Sequence, residues 1–283
     1  MMATKITPEM VKELRERTGV GMGKCKEALD QSQGDMEKAI DFLRKSGMAS
    51  AVKKEGRETK EGVIGIGESQ DAIALIEVNS ETDFVAQNDK FKQFVKDVAL
   101  EVAETKPASL EAFVAQKYRK DPSITIDQYR SLVIQGLGEN IQIKRLQVLP
   151  KLADTSVGLY SHMGGKIVTF VEIEGGAGME ALAKDIAMHI AAESPDYLKP
   201  EEVPADVRAR EADIAKSQVK GKPENIIDKI VEGKLKAFYD QVCLLGQKFV
   251  KDNSITIADL VVKEGKRVGK PLAIRRFLRW RVG

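Results

Sequence analysis

The sequence of 283 residues contains only two cysteines, Cys25 and Cys243, which lie far apart and form no Cys-x-x-Cys or Cys/His cluster. This argues against a disulfide scaffold and against a zinc site, and it favours a reducing compartment. The sequence has no run of about 18 apolar residues, the length that a membrane helix needs. Its first eight residues lack the apolar core of a signal peptide. We therefore expect a cytoplasmic protein that neither spans a membrane nor is exported.

An excess of charge of one sign is also missing, because 45 lysine and arginine residues nearly balance 43 aspartate and glutamate residues. Such a chain has no strong global field that would draw it onto a nucleic acid or an acidic membrane.

Only two histidines occur. His189 lies in an apolar helical pattern, which favours a buried histidine with satisfied hydrogen bonds over a ligand. His162 lies at the tip of a predicted hairpin, where contact with a partner and a plain surface position are both open.

The usual marks of a catalytic site are absent from the sequence. An enzyme would show a nucleophile, a base or a metal cluster, and His162 has no such partner near it in the sequence. Residues 19–24 are rich in glycine like a phosphate loop, but they lack the Gly-Lys-Ser/Thr ending, and no buried strand precedes them. We expect no catalytic residue, cofactor or metal, and an enzyme is the weakest interpretation of this chain.

The beginning of the chain shows the pattern of three short helices. Thr7 and Asp35 are placed as N-caps of the first and third helices, and Gly19 is placed to end the first. Residues 53–61 follow as a charged stretch without large apolar residues, which is typical of a linker. A chain of this length can form two or three domains, and the first of them is predicted at residues 1–55.

Beyond the linker, two halves of the chain repeat one pattern. Residues 138–146 and 269–277 share a glycine, alternating aliphatic residues and a pair of basic residues, which predicts an equivalent strand in each half. Each half also begins with a predicted hairpin, formed by residues 62–66 with 73–78 and by residues 157–161 with 167–173. The repeat predicts the α+β class, with two related core subdomains that contain antiparallel sheets. Their predicted bounds are residues 56–150 for the first, and residues 151–194 with 240–283 for the second.

The second half is interrupted at residues 195–239 by a charged helical stretch. Pro204 and Pro223 are placed to begin two helices, with residues 220–222 between them. Aliphatic residues recur along both arms and predict an antiparallel helical hairpin; they are Val207, Ile214, Ile226, Ile227, Ile230, Val231 and Leu235. Either a partner such as a second copy, or the hairpin's own domain, has to cover this apolar surface.

The most informative segment is Glu-Val-Asn-Ser-Glu-Thr-Asp-Phe-Val-Ala at residues 77–86, where an apolar strand runs into a polar turn that presents Phe84. A helix follows, because apolar residues recur every three or four positions from Phe91 onward, after the capping candidates Asn88 and Asp89. On physical grounds alone, Phe84 either packs on that helix as a hydrophobic staple, which is the first expectation, or is an exposed contact residue.

Two long motifs resemble the elongation factor Ts family of bacterial type, the nucleotide exchange factors of elongation factor Tu. One is Leu-Arg-Glu-Arg-Thr-Gly-Val-Gly-Met-Gly-Lys-Cys-Lys-Glu-Ala-Leu at residues 14–29, and the other is the segment at residues 77–86. The resemblance continues in the same order through residues 138–141, 186–189 and 229–234. It therefore covers nearly the whole chain.

The resemblance implies a ubiquitin-associated-like domain at residues 1–55, the two related core subdomains, and an inserted coiled coil at residues 195–239 that forms a homodimer. It also implies a guanine-nucleotide exchange factor that performs no covalent chemistry. Elongation factor Tu is the implied partner, both GDP-bound and nucleotide-free, and no nucleic acid, membrane or cofactor is expected. Many family members continue into a C-terminal helical module, and the sequence stops at Gly283, so the resemblance gives no expectation for that contact.

Contact residues are implied by the same resemblance. In the family, the Thr-Asp-Phe-Val segment enters the G domain of elongation factor Tu beside its magnesium and phosphate site, so Phe84 would wedge between partner helices and Asp83 would hold the turn and contact the partner. The implied contact residues are Thr82, Asp83, Phe84, Val85, Met22, Lys26, Leu137 and His162. The chain departs from the family motif at Gln87, where a basic residue is usual, and at Gly23, which replaces one of two paired methionines.

A different class of function stays open from the sequence: an interaction module joined to an RNA-binding scaffold, without exchange activity. Residues 275–281 are basic and aromatic, as in a nucleic-acid-binding stripe. Their alternation also predicts an amphipathic strand of a sheet, and the near-zero net charge favours the strand.

Overall fold

The computed structural model describes residues 6–219 and 224–283. It divides into two compact units. The first unit runs to Lys151 and includes residues 164–166 and 281–283, and the second consists of Leu152–Met163 and Ile167–Trp280. Over the described residues, no helix combines the length and the apolar character that a membrane crossing requires.

The first three helices form a small bundle with its own core. They are α1 (Pro8–Thr18), α2 (Met22–Gln31) and α3 (Met36–Lys54). The predicted caps are confirmed, because the Thr7 side chain accepts from the Met10 amide at 3.3 Å and the Asp35 side chain from the Lys38 amide at 3.1 Å. Gly19 ends α1 in the left-handed conformation. The buried residues of this core are Val11, Leu14, Val20, Cys25, Ala28, Leu29, Ala39, Ile40 and Leu43.

The first core half contains a three-stranded antiparallel sheet in the order β1-β2-β5. Its elements in chain order are β1 (Glu61–Glu68), β2 (Ala72–Ser80), α4 (Asp83–Gln87), α5 (Asp89–Thr105), α6 (Leu110–Ala115), β3 (Lys117–Tyr118), β4 (Asp121–Thr125), α7 (Ile126–Leu137) and β5 (Ile141–Pro150). The predicted hairpin is confirmed, with Gly62 opposite Asn79. All nine residues of the central strand β2 are buried, and the apolar face of α5 packs on the sheet.

The linker is shorter than the predicted residues 53–61, because helix α3 includes its first residues and strand β1 includes its last. Lys53 and Lys54 belong to the last turn of α3, and β1 begins at Glu61, so only residues 55–60 lie between them. Helix α3 continues because its second half packs on α7, with Ala51 buried in the core of the first half and Gly47 close to Ser131. Small residues allow that close approach, so the helix needs no large apolar residue there.

The second core half repeats the plan of the first. Its elements are β6 (Thr155–His162), β7 (Ile167–Glu174), α8 (Glu180–Glu193), α9 (Ala205–Ser217), α10 (Glu224–Val242), β8 (Lys248–Phe249), β9 (Asp252–Thr256), α11 (Ile257–Val268) and β10 (Ala273–Arg281). The sheet order is β10-β7-β6. Helices α7 and α11 both begin with a capping box, at Thr125 and Thr256, and both end at a left-handed glycine, Gly138 and Gly269. The predicted repeat and the α+β class are therefore confirmed.

Two basic residues of the last strand, Arg275 and Arg276, lie close to a buried carboxylate inside the second half. The Arg276 Nε atom donates to Glu172 Oε2 at 2.8 Å, and the Glu172 side chain is fully buried. The first half carries the equivalent pair, in which Arg145 Nε donates to Glu77 Oε2 at 2.7 Å. Residues 275–281 form the predicted strand β10. The Arg276 guanidinium is thus used as an internal partner of a buried carboxylate rather than as a free cation.

The inserted stretch contains two helices, α9 and α10, that pack on each other. Ala215, Val219 and Val231 are buried, whereas Ile214 remains 40 % exposed. The other predicted apolar positions Val207, Ile227, Ile230 and Leu235 are half-buried. Pro223 and residues 220–222, predicted as the second helix start and the turn, lie outside the described residues, as does the side chain of Ile226.

The contact between Gly158 of β6 and α8 provides a test of this packing. A Cβ atom at Gly158 would overlap the backbone carbonyl of Ala183, just as one at Gly67 would overlap that of Ala99 in the first half. Gly158→Ala should therefore lower the free energy of unfolding by about 2 kcal/mol or more. Gly233→Ala is the matched control, because Gly233 lies inside α10 with nothing within 4 Å of the added Cβ. The control should gain up to about 1 kcal/mol from helix propensity.

Urea unfolding of the parent and both variants measures this difference. A Gly158→Ala variant as stable as the parent would show that the packing of α8 on β6 does not depend on the close approach at Gly158.

Candidate functional site

The polar turn after β2 is a short helix, α4, and its Phe84 side chain is 83 % exposed. Among the described residues, no other large hydrophobic side chain is exposed to this extent. The expectation of a hydrophobic staple is wrong, because Val85 and Ala86 take the buried positions of α4 and join the core of the first half. Burial of a phenylalanine is worth about 1.5–3 kcal/mol, and this stabilisation is forgone at Phe84.

Hydrogen bonds at Thr82 hold the beginning of α4. The Thr82 hydroxyl accepts from the Val85 amide at 3.3 Å and donates to Glu139 Oε1 at 2.6 Å. The Thr82 amide donates to Glu139 Oε2 at 3.0 Å. Thr82 is therefore an N-cap that is itself anchored to a carboxylate. The role of Glu139 was missed, although the segment at residues 138–141 was noted as part of the resemblance.

Asp83 does not hold this turn. Its side chain is exposed, and no group in residues 6–219 or 224–283 hydrogen-bonds to its carboxylate. It lies in the first turn of α4, where a negative charge is favourable near the positive end of the helix dipole. Thr82 and Glu139 hold the turn, a role that was expected of Asp83. The contact of Asp83 with a partner stays a prediction.

Three other predicted contact residues lie in the same compact unit as Phe84. Met22 is 53 % exposed in the first turn of α2, and Lys26 is exposed one helical turn later on the same face. Leu137 is half-buried at the end of α7. All three remain accessible to a partner.

The turn between α1 and α2 is fastened to the first core half. The Lys90 ammonium, in the first turn of α5, donates to the Gly19 carbonyl at 2.7 Å. The Lys24 ammonium donates to the Gln135 carbonyl near the end of α7 at 3.3 Å. These bonds bring the start of α2 to the ends of α5 and α7 that adjoin α4 and Leu137. The structure therefore brings the Met22 region and the Phe84 region to one end of the first unit.

A cavity of about 540 Å³ lies between α1, α3 and α7 in the first unit. The rings of Tyr118 and Tyr129 in its wall are stacked, with centroids 4.9 Å apart. The charged side chains of its wall already have partners, because Arg17 pairs with Glu37 at 2.7 Å and Arg44 donates to Ser123 at 2.8 Å. The Lys90 ammonium in the same wall donates to the Gly19 carbonyl, so it is hydrogen-bonded but not ion-paired.

His162 belongs to the second unit, at the end of β6. Its side chain is exposed as predicted, and its Nδ1 atom lies 3.1 Å from the Tyr160 hydroxyl. The next residue, Met163, is 70 % exposed. The tip of this hairpin thus offers a polar ring beside an apolar side chain, which is a composition suited to a protein contact.

His189 is the buried, satisfied histidine that the sequence predicted. Its Nδ1 atom accepts from the Val250 amide at 3.2 Å, so the Nε2 atom carries the proton and donates to Gln247 Oε1 at 3.0 Å. Burial lowers the pKa of His189 below its ordinary value of 6.5. Its role is structural.

An exposed aromatic ring on a fixed base, with further accessible side chains at the same end of the unit, is typical of a protein-binding surface, here on an α+β fold. Comparison with known proteins gives the family. The family model described as Elongation factor TS matches residues 81–283. The chain belongs to the elongation factor Ts family, whose members act in translation elongation.

Relatives match along almost the entire chain. Elongation factor Ts of Protochlamydia amoebophila (strain UWE25) is 62 % identical, over 98 % of this chain and 99 % of its own length. Those of Chlamydia caviae (strain ATCC VR-813 / DSM 19441 / 03DC25 / GPIC) and Chlamydia muridarum (strain MoPn / Nigg) are 47 % and 45 % identical, each over 97 % of this chain and 98 % of its own length. These alignments therefore also include nearly all of residues 1–80, which precede the part of the chain that the family model matches.

The buried His189 makes the stability of the fold depend on pH. Because its pKa is lowered in the folded chain, the unfolded chain binds the proton more readily. This contribution to stability is present above pH 6.5 and is lost as the pH falls, by at most about 1.4 kcal/mol per pH unit. His189→Gln should flatten the acid side of the stability profile, because glutamine has no proton to gain over this pH range.

Urea unfolding between pH 7.5 and 5 checks this prediction. An unchanged acid slope in His189→Gln would mean that other groups cause the loss of stability.

Proposed function

We propose that this chain promotes GDP release from elongation factor Tu by inserting the Phe84 ring between helices of the G domain, beside the magnesium and phosphate site. The observation that carries the proposal is the 83 % exposure of Phe84 on a helix whose next two residues, Val85 and Ala86, are buried in the core. Membership of the elongation factor Ts family supplies the partner. The protein acts in the cytoplasm, as an exchange factor without covalent chemistry.

The mechanism works through differential binding. When an exchange factor binds nucleotide-free elongation factor Tu more tightly than the GDP-bound form, it weakens GDP binding by the same factor. Insertion of one phenylalanine ring supplies about 1.5–3 kcal/mol, which is about a ten- to hundredfold change in an equilibrium constant. A larger effect requires loss of the magnesium ion, whose charge holds the phosphates of the nucleotide.

The remaining contact residues orient the wedge. Met22 and Lys26 touch a second helix of the G domain from α2, and Leu137 adds an aliphatic contact from the end of α7. The exposure of Met22 and Lys26 and their position on one face support this role. Asp83 and the hairpin-tip His162 provide polar contacts with the partner. Because several contacts set the orientation, the loss of Phe84 weakens exchange more than it weakens binding.

Substitution of Phe84 is the direct test of the wedge. Phe84→Ala should slow GDP release from elongation factor Tu by about tenfold or more. The ring is buried only in the complex, so its removal lowers the stability of the complex and not that of the free protein. The fold should be intact, since the side chain makes little contact with its own chain. Val262→Ala is a matched control, because Val262 is another exposed apolar residue, 54 % exposed, on α11 of the second unit.

Stopped-flow fluorescence with a labelled GDP measures the release rate, and circular dichroism checks the fold. The wedge is refuted by a Phe84→Ala release rate equal to that of the parent at saturating concentration.

The inserted hairpin of α9 and α10 is proposed as the contact of a homodimer. The aliphatic stripe of the two arms is only partly covered, with Ile214 40 % exposed and Ile227 and Ile230 half-buried. A second copy that packs on the stripe would bury these side chains at a gain of about 25 cal/mol per Å² of apolar surface.

Deletion of residues 204–235 with a short bridging loop should give a monomer that still promotes GDP release. The contact residues lie outside the deleted stretch, so exchange does not require it. Multi-angle light scattering gives the oligomeric state, and the stopped-flow assay gives the activity. A full-length chain that is monomeric at micromolar concentration would contradict the dimer.

A further inference from the structure

We propose that Glu139 is a positioning residue for Phe84, because its carboxylate fixes the start of α4 and so the direction in which the ring points. This inference rests on the proposed function of Phe84 as a wedge. Glu139 lies 55 positions after Phe84 in the sequence and contacts Thr82, the N-cap of α4. It is not one of the implied partner contacts.

Glu139 binds Thr82 with both carboxylate oxygens. One oxygen accepts from the Thr82 amide at 3.0 Å and the other from the Thr82 hydroxyl at 2.6 Å. The hydroxyl in turn accepts from the Val85 amide. Hydrogen bonds to a charged acceptor are stronger than neutral ones, and a chain of them is mutually reinforcing. Thr82 is thus tied to one carboxylate directly, and Val85 is tied to it through the Thr82 hydroxyl.

A second hydrogen bond joins the same two loops in the opposite direction, from the loop of Glu139 to the loop of Thr82. The Asn140 amide donates to Glu81 Oε1 at 2.6 Å, so each loop supplies a glutamate that accepts from the backbone of the other. We name this arrangement of Glu81, Thr82, Glu139 and Asn140 the clasp. The buried Asn140 side chain also donates to the Arg57 carbonyl at 2.8 Å. The clasp is therefore continuous with the segment that follows α3.

The second core half shows that the fold itself does not require the clasp. There, the residues equivalent to Gly138, Glu139 and Asn140 are Gly269, Lys270 and Pro271. Lys270 has no carboxylate, and Pro271 has no amide hydrogen to donate. The clasp thus occurs in the half that carries the exposed aromatic residue, and its counterpart lacks it.

A helix as short as α4 has no stability of its own. Burial of Val85 and Ala86 fixes its depth against the core, and the clasp fixes its first residue. Without the clasp, Phe84 would sample more directions, and insertion into a partner would have to restrict them again. That restriction costs binding free energy. Loss of Glu139 should therefore act through Phe84.

The test is a double-mutant cycle with full-length protein and elongation factor Tu loaded with labelled GDP. Glu139→Gln replaces one accepting oxygen by an NH2 group, which donates and cannot accept, and it should slow GDP release about tenfold. In the Phe84→Ala background, the same change should slow release less than twofold, because there is no ring left to position. Glu68→Gln is the matched control, since it removes a carboxylate that pairs with Lys151 at the opposite end of β1.

Two further measurements separate positioning from a loss of fold. Thermal unfolding by circular dichroism should show a single cooperative transition in both variants, with a larger downward shift in Glu139→Gln, which loses a half-buried charged acceptor, than in Glu68→Gln, which loses an exposed ion pair. Amide hydrogen exchange should quicken at Thr82 and Val85 in Glu139→Gln alone. Should Glu139→Gln fail to fold, Thr82→Val removes the hydroxyl side of the clasp and should show the same non-additivity with Phe84→Ala.

Each outcome of the cycle decides between the proposals. A parent-like rate for Glu139→Gln beside a slow Phe84→Ala overturns the positioning role and leaves the wedge standing. A full tenfold effect of Glu139→Gln in the Phe84→Ala background shows that Glu139 acts independently of the ring. A parent-like rate for Phe84→Ala overturns the wedge, and the positioning role falls with it.

Discussion

A phenylalanine ring stays in water at a defined place only when its neighbours are held by forces that the ring does not supply. In this chain those forces are the burial of the whole of β2, which leads to the ring, and the burial of Val85 and Ala86, which follow it. The hydrogen bonds from Thr82 to Glu139 complete the support. The gain forgone at one exposed ring is small beside the burial of a complete strand, so the fold tolerates the exposure of Phe84.

The two core halves share one fold and differ in what is added to it. Both contain a three-stranded antiparallel sheet, a close glycine contact with a helix, a capping box and a buried glutamate–arginine pair. These shared features are the ones that stabilise each half. The exposed aromatic residue and the clasp occur in the first half, whereas the helical insertion occurs in the second. On the proposed mechanism, one half carries the wedge and the other carries the contact between copies.

Local patterns in the sequence predicted much of the fold. Alternation, periodicity and capping residues act over a few positions, so the hairpins, the repeat and the buried His189 could be inferred from them. The bond between Thr82 and Glu139 joins residues 57 positions apart, and no local pattern indicates it. The staple was predicted wrongly because spacing alone does not show which of Phe84 and Val85 faces the core. Likewise, the small residues that pack α3 on α7 gave no apolar signal, and the linker was predicted too long.

The central claim is that Phe84 converts binding energy into weaker nucleotide binding. The most direct test is calorimetric measurement of the affinity of this protein for elongation factor Tu, with and without GDP, for the parent and for Phe84→Ala. The ratio of the two affinities is the coupling between the protein and the nucleotide. The mechanism predicts that Phe84→Ala reduces this ratio about tenfold or more. An unchanged ratio, with both affinities lowered equally, would show that Phe84 is an ordinary contact and would contradict the mechanism.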